Sequence, residues 1–283
     1  MAIRRGGMQT PTAASSVFQP HIYTGDGSTR VHDLNITPDM VINFSREVNG
    51  DANAVNDRIR GSGTEMYTST NNANYAAGTA GMQFDYTKKI EVQSYRITNT
   101  EPYLNHCWAR GRGYFDIVAY TGNGTAGRTV NHNLGVAPEM MWIKQTDGSG
   151  DWEAPCDYTD TTFRRLQLAS NGAASAVDYT SITSDNSNPL HNKPTATQII
   201  LNSAANVNQN TKKYVAYLFA TCSGVSKVGT VSHSGSSTDV DCGFTSGASL
   251  VLLKRVDDAG SWVVFDSARG IVAGNDPYKK LNS

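Results

Sequence analysis

Histidine changes charge closest to neutral pH, so it is the residue type most able to supply proton transfer or a metal ligand. This chain has six, His21, His32, His106, His132, His191 and His233, and no two form an HxH, HExxH or i,i+4 pair. His32 and His132 follow glycine turns at similar distances, which suggests a shared structural hydrogen bond. The carboxylates Asp26, Asp51, Asp147, Asp151, Asp257 and Asp258 are scattered among turn residues. Asp257-Asp258 lacks the DxDxDG rhythm of a calcium loop and reads as a solvated turn. A glycosidase needs two carboxylates held across a cleft, and no spacing here points to such a pair. Cys107, Cys156, Cys222 and Cys242 show no CxxC pattern and suit small, buried strand positions. Tyr23-Thr24-Gly25-Asp26-Gly27 and Tyr120-Thr121-Gly122-Asn123-Gly124 resemble nucleotide loops only superficially, since neither a helix nor a lysine-serine pair follows. Hairpins with positive φ at Gly or Asn are their expected use. The expectation is a protein without catalytic residues, metal or cofactor.

Aromatic rings remain as contact chemistry. Of Trp108, Trp142, Trp152 and Trp262, three lie at repeated or strand positions and are expected in the core. Tyr67, Tyr75, Tyr158 and Tyr179 fall in loop-rich parts, and Tyr158, Tyr179 and His191 are the candidate contacts to a host-surface glycan.

The elements that position these residues are written almost three times. Asp116–Lys144 reads as strand, glycine turn, strand, polar corner, strand, and Ser226–Arg255 follows the same order with Leu250–Leu253 matching Met140–Ile143. His21–Phe44 is a further copy, in which Pro38-Asp39-Met40-Val41 matches Pro138-Glu139-Met140-Met141. Ser149-Gly150-Asp151-Trp152 returns as Ala259-Gly260-Ser261-Trp262, and Tyr103 with Trp108-Ala109 returns as Tyr214 with Phe219-Ala220. A period of roughly 100 to 110 residues is the size of a small domain. The fold class expected is all-β, as tandem antiparallel β-sandwich, jelly-roll-like domains with a partial last copy. The boundaries are residues 1–19 for an N-terminal arm, 20–113 and 114–222 for two full copies, and 223–283 for the partial one. Within them the long polar stretch 171–193 is expected as an exposed loop or a small subdomain, and Asn206–Gln209 as a polar corner. A half sandwich cannot cover its apolar face, so a neighbouring chain, the preceding unit or further sequence is expected to complete the last copy.

Composition agrees with a rigid β protein: 26 glycines for turns and only 17% charged residues. With 24 basic and 25 acidic residues the net charge is −1, so no overall field favours nucleic acid or an anionic membrane. No apolar run approaches the roughly 20 residues of a membrane span, and the basic, Gly- and Thr-rich start lacks a signal-peptide core. The chain is expected to be made in a cytoplasm and to stay soluble. Arg4, Arg5, Gly6 and Gly7 suit an anchoring arm whose ordering, at roughly 1 to 2 kcal/mol per residue, needs a partner or the protein body.

The run FDIVAYTGNGTAGRTVNHNLGVAPEMMWIK, a later DW, then KKYVAYLFATCSGVSKVGTV and VLLKRVDDAGSWVVFDSARG resembles the tandem repeats of virion proteins of marine and cyanobacterial tailed phages. These are often described as tail fibre or SPRY/concanavalin-like β-sandwich proteins. Phe115–Gly270 carries most of the likeness and His21–Arg112 less. The family's aliphatic run after the tryptophan is replaced here by Glu153-Ala154-Pro155-Cys156, and the first copy has no tryptophan there at all. The resemblance implies a non-enzymatic virion protein, as a tail fibre or spike anchored by its N-terminal arm, acting on the host surface through avidity. Its implied partners are other copies in a homotrimer and neighbouring tail or capsid proteins. A capsid decoration protein and a carbohydrate-binding module are the alternatives, and a polysaccharide hydrolase is the enzymatic rival.

Overall fold

The computed structural model describes residues 7–46, 53–76, 81–94, 100–179, 188–270 and 276–283. Among them the chain is all-β apart from a 3-10 turn at Ala14–Ser16 and one short helix. The first unit contains β1 (Phe18–Thr24), β2 (Arg30–Asp33), β3 (Met40–Ser45), β4 (Ala54–Asp57), β5 (Thr64–Tyr67), β6 (Tyr75–Ala76), β7 (Lys89–Val92) and β8 (Pro102–Trp108). Six of these form one sheet in the order β1-β8-β3-β4-β5-β6, while β2 and β7 pair separately. Along β8 the pleat sends Tyr103 and Cys107 to a core shared with Val41, Ile90 and Val92. Leu104 and Trp108 point to the opposite face and a second core. Burial on both faces explains why the strand lacks a polar alternation.

The second unit repeats this plan with β9 (Phe115–Thr121), β10 (Arg128–Asn131), β11 (Met140–Gln145), β12 (Thr162–Arg165), β13 (Ser175–Asp178), β14 (Leu190–Asn192), β15 (Gln198–Leu201), the helix α1 (Ala205–Asn208) and β16 (Lys213–Phe219). The order β9-β16-β11 continues through bridges at Glu153 and Cys156 to β12-β13, and β10-β15-β14 forms the facing sheet. Ala216 and Leu218 of β16 face Met141, Ile143, Ile199 and Leu201 between the sheets. Val215 and Tyr217 face the other way. A third unit has β17 (Leu250–Leu253), β18 (Val263–Asp266) and β19 (Lys279–Lys280), paired in that order.

Three expectations need correction. The glycine turns are not hairpins: β1 and β9 join the β8 and β16 sheets, whereas β2 and β10 pair with β7 and β15, so each turn crosses between sheets. Gly27 and Gly124 have the expected positive φ, at 76° and 72°. Gly122 is needed for a different reason, since a Cβ there would collide with the Gln209 carbonyl oxygen. The stretch 171–193 is not only a loop, because its described part supplies β13 and β14. The polar corner begins as the helical turn α1.

The described part of the arm is docked. Ala109 N donates to Val17 O at 2.8 Å, Arg112 N donates to Gln9 O at 3.0 Å, and Pro11 and Val17 are buried. The body of the protein thus supplies the contacts that order residues 7–17. The boundary drawn at residue 19 falls inside β1.

Candidate functional site

The second face of each main sheet converges on one core shared by all three units, with Met40, Ile42 and Leu104 from the first, Trp142, Trp152 and Tyr217 from the second, and Trp262, Val264 and Leu281 from the third. The repeat places the same donor in each seam. Trp152 Nε1 donates to the Tyr67 carbonyl at 2.9 Å. Trp262 Nε1 donates to the Gln167 carbonyl at 3.0 Å. Asn53, at the same point of the first unit, donates through Nδ2 to the Lys280 carbonyl at 2.7 Å. Thr68, Leu168 and Leu281 donate their N–H groups to the carbonyls of Asn53, Trp152 and Trp262, so Tyr67, Gln167 and Lys280 hold equivalent positions. Second unit bonds first, third bonds second, and first bonds third: the three copies close a pseudo-threefold ring within one chain.

Backbone contacts repeat with the same offsets. Gly150 N donates to Asn71 O and Gly260 N to Asn171 O, each at 2.8 Å. Asn74 N donates to Thr146 O and Ala174 N to Val256 O, each at 2.9 Å. Lys144 Nζ joins the first seam, donating to Asn71 O at 3.1 Å and Gly150 O at 2.8 Å. Burial lowers its pKa to about 8. Lys254 caps the second seam through Gly172 O at 2.7 Å. Neither lysine stood out in the sequence, although both share the 110-residue offset of the tryptophans.

Buried charges mark two further equivalent stations. Asp57 accepts from Arg60 Nε at 2.5 Å and from Tyr217 Oη of the next unit at 2.6 Å. Asp266 accepts from Arg269 Nε at 2.5 Å and lies 3.3 Å from His106 Nε2 of the first unit. Burial by itself would raise the Asp266 pKa, but His106 and the Arg269 guanidinium outweigh it and hold the carboxyl at about 2. Register identifies the third station as Cys156: Met40 pairs with Asp57, Leu250 with Asp266 and Met140 with Cys156.

These groups are committed to structure, and among the described residues no group of three or more His, Cys, Asp or Glu could hold a metal ion. His132 is anchored by Thr195 O at 3.1 Å, while His32 Nδ1 meets His21 Nε2 at 3.1 Å, so the two histidines do not share one bonding pattern. Arg255 pairs with Asp257 and Asp258 at the surface. All four tryptophans are buried, the three expected from repeat and strand positions and the fourth as well.

The His21–His32 contact needs a neutral ring on at least one side. Burial and the neighbouring His21 lower the His32 pKa from 6.5 to about 4. The unfolded chain therefore takes up a proton before the folded one. Stability contributed here is complete above pH 6.5 and falls as pH drops towards 4, by about 2 kcal/mol after allowance for partial solvent access. Urea midpoints at pH 7.5 and 4.5 check this, with His32→Gln expected to show a smaller loss than the native chain.

The predicted site residues do not assemble. Arg4, Arg5 and Gly6 lie outside the described residues, and Gly7 is exposed. Tyr179 is 4% exposed and packs on Phe163, with ring centroids 5.3 Å apart. Tyr158 is half-buried with its hydroxyl bonded to Pro155 O at 2.6 Å. Tyr179 belongs to the core of the second unit and Tyr158 packs against it, because aromatic rings beside polar loops still fill the space between sheets. His191 is half-buried on β14, the neighbour Leu190 pointing into the core.

No curated protein and no solved structure matches the chain. A family profile covers residues 13–282, nearly the whole span of the ring, and the chain belongs to that family, described as Domain of unknown function (DUF7483).

Proposed function

We propose that this chain is a non-enzymatic structural component of a tailed-phage virion, in the first instance a tail fibre or spike protein contributing to host attachment. The closed three-unit ring carries this reading. The buried donors Trp152, Trp262 and Asn53 bridge the seams between units, and one apolar core ties the copies into a body suited to bearing load. The sequence likeness to phage virion repeats gives the setting. Avidity from many copies on a particle suits a neutral, loop-rich exterior. Homotrimers and an N-terminal attachment arm belong to the same proposal.

The pseudo-threefold arrangement also favours the capsid alternative, because such a body matches a threefold position in a head lattice without self-association. Immunogold labelling of purified particles of the phage that encodes the chain separates the two. Label on the tail is expected, label over the head establishes decoration instead, and particles free of the protein overturn the virion reading.

A further inference from the structure

Away from the seams, two strands of different sheets bring a pair of imidazoles together. β1 is the edge strand of the six-stranded sheet and β2 pairs with β7, so no backbone ladder joins β1 to β2 among the described residues. Across that gap His21 Nε2 of β1 lies 3.1 Å from His32 Nδ1 of β2, with ring centres 5.0 Å apart. Tyr23 packs on both rings, its centre 5.8 Å from that of His21 and 4.4 Å from that of His32.

The fold does not require histidine at either position. Tyr23 pairs with Tyr103 of β8 as Tyr120 pairs with Tyr214 of β16, so His21 matches Val118, two residues before the tyrosine. Arg30 pairs with Val92 at the start of β2 as Arg128 pairs with Leu201 at the start of β10. Leu34 N and His132 N then donate to the carbonyls of Lys88 and Thr197, the residues just before β7 and β15. His32 therefore matches Val130, not His132. Where the second unit packs Val118 and Val130 into its core, the first unit holds two imidazoles with facing nitrogens.

Their geometry suits one shared ion. Ligand nitrogens about 2.0 to 2.1 Å from a metal are about 2.9 Å apart at a right angle and about 3.3 Å apart at a tetrahedral one, and the observed 3.1 Å lies between. At that spacing two chelating rings have centres about 4.8 Å apart, whereas nitrogens aimed straight at each other put them at about 5.4 Å; the observed 5.0 Å is nearer the first. Burial lowers the pKa of both rings, so both are neutral at pH 7. With the His21 proton on Nδ1 and the His32 proton on Nε2, each facing nitrogen offers a lone pair. We propose that His21 and His32 chelate one divalent transition ion of the copper, nickel and zinc class between β1 and β2. Asp26, in the intervening turn, is committed to Ser28 and Arg30. Two imidazoles are fewer ligands than a resident structural ion has, so water completes the shell and the ion exchanges with solvent past half-buried His21. The bound ion ties two sheets that share no ladder. This proposal is independent of where in a particle the protein sits.

The test titrates the full chain, free of any affinity tag, with Cu2+, Ni2+ and Zn2+ against glycine as a weak competitor. One site per chain is expected above the background of the His21→Val/His32→Val double variant, tightest for Cu2+. Mg2+ and Ca2+, which take oxygen ligands, are expected not to compete. Electron paramagnetic resonance of the stoichiometric Cu2+ form, prepared without glycine, is expected to show hyperfine splitting from two nitrogens. His21→Val and His32→Val write the second unit's residues into the first, and each is expected to weaken Cu2+ binding at least tenfold. Saturating Zn2+ is expected to raise the Tm of the native chain but not of either variant. The metal-free Tm of His21→Val is expected to match that of the native chain, so this variant decides alone if His32→Val does not fold. Cu2+ binding by His21→Val as tight as by the native chain overturns the proposal. So does native binding no better than that of the double variant.

Discussion

Trp152→Ala is expected to lower the stability of the whole ring by about 3 to 5 kcal/mol, the range for truncating a large buried aromatic. Trp152 is fully buried, stacks near Tyr217 and sits in the core common to three units. Its indole also satisfies the Tyr67 carbonyl across the seam. Trp152→Phe separates these effects. It keeps most of the apolar area but strands that carbonyl, which costs about 1 to 3 kcal/mol. Guanidinium unfolding followed by far-UV circular dichroism gives both numbers. If the seam couples the units, Trp152→Ala also splits one cooperative transition into two. An unchanged midpoint would show that the ring does not depend on this contact.

Local pattern made the individual units readable in sequence but not their closure into a ring. Strands such as Lys213–Phe219 and Met140–Gln145 were legible because apolar runs between turn formers carry their own signal. Trp152 and Trp262 were legible as core because they recur at one offset. The partner of each indole was not, since a backbone carbonyl leaves no mark on residue type. Asn53 illustrates the limit: it replaces the tryptophan with a small polar side chain, yet reaches the equivalent carbonyl. The burial of the aromatic candidates was hidden for a related reason. Tyr158 and Tyr179 lie in stretches rich in Thr, Ser and Asp, and composition describes the surface of such segments better than the one side chain they bury. The glycine turns misled because a turn to the facing sheet and a hairpin use the same residues.

The second large effect is expected at the charged stations. Asp57→Ala leaves the Arg60 guanidinium, whose side chain is 5% exposed, without its carboxylate, and strands the Tyr217 hydroxyl. Breaking a buried pair from one side costs about 3 to 5 kcal/mol because the remaining charge stays out of water. Tyr217→Phe removes only a hydrogen bond to a charged acceptor, worth about 1.5 to 3 kcal/mol. In the double variant the two losses should not add, since both act on one carboxylate, and the coupling is read from a double-mutant cycle of urea midpoints. Asp266→Ala should act likewise on Arg269 and adds a dependence on pH. The Asp266 pKa is depressed in the fold, so its contribution is present above the unfolded value near 3.8 and is lost as pH falls towards 2. The native chain is therefore expected to lose stability across that window more steeply than Asp266→Asn, which has no proton to take up there. Parallel pH profiles for the two proteins would mean that the charge on Asp266 contributes nothing to stability.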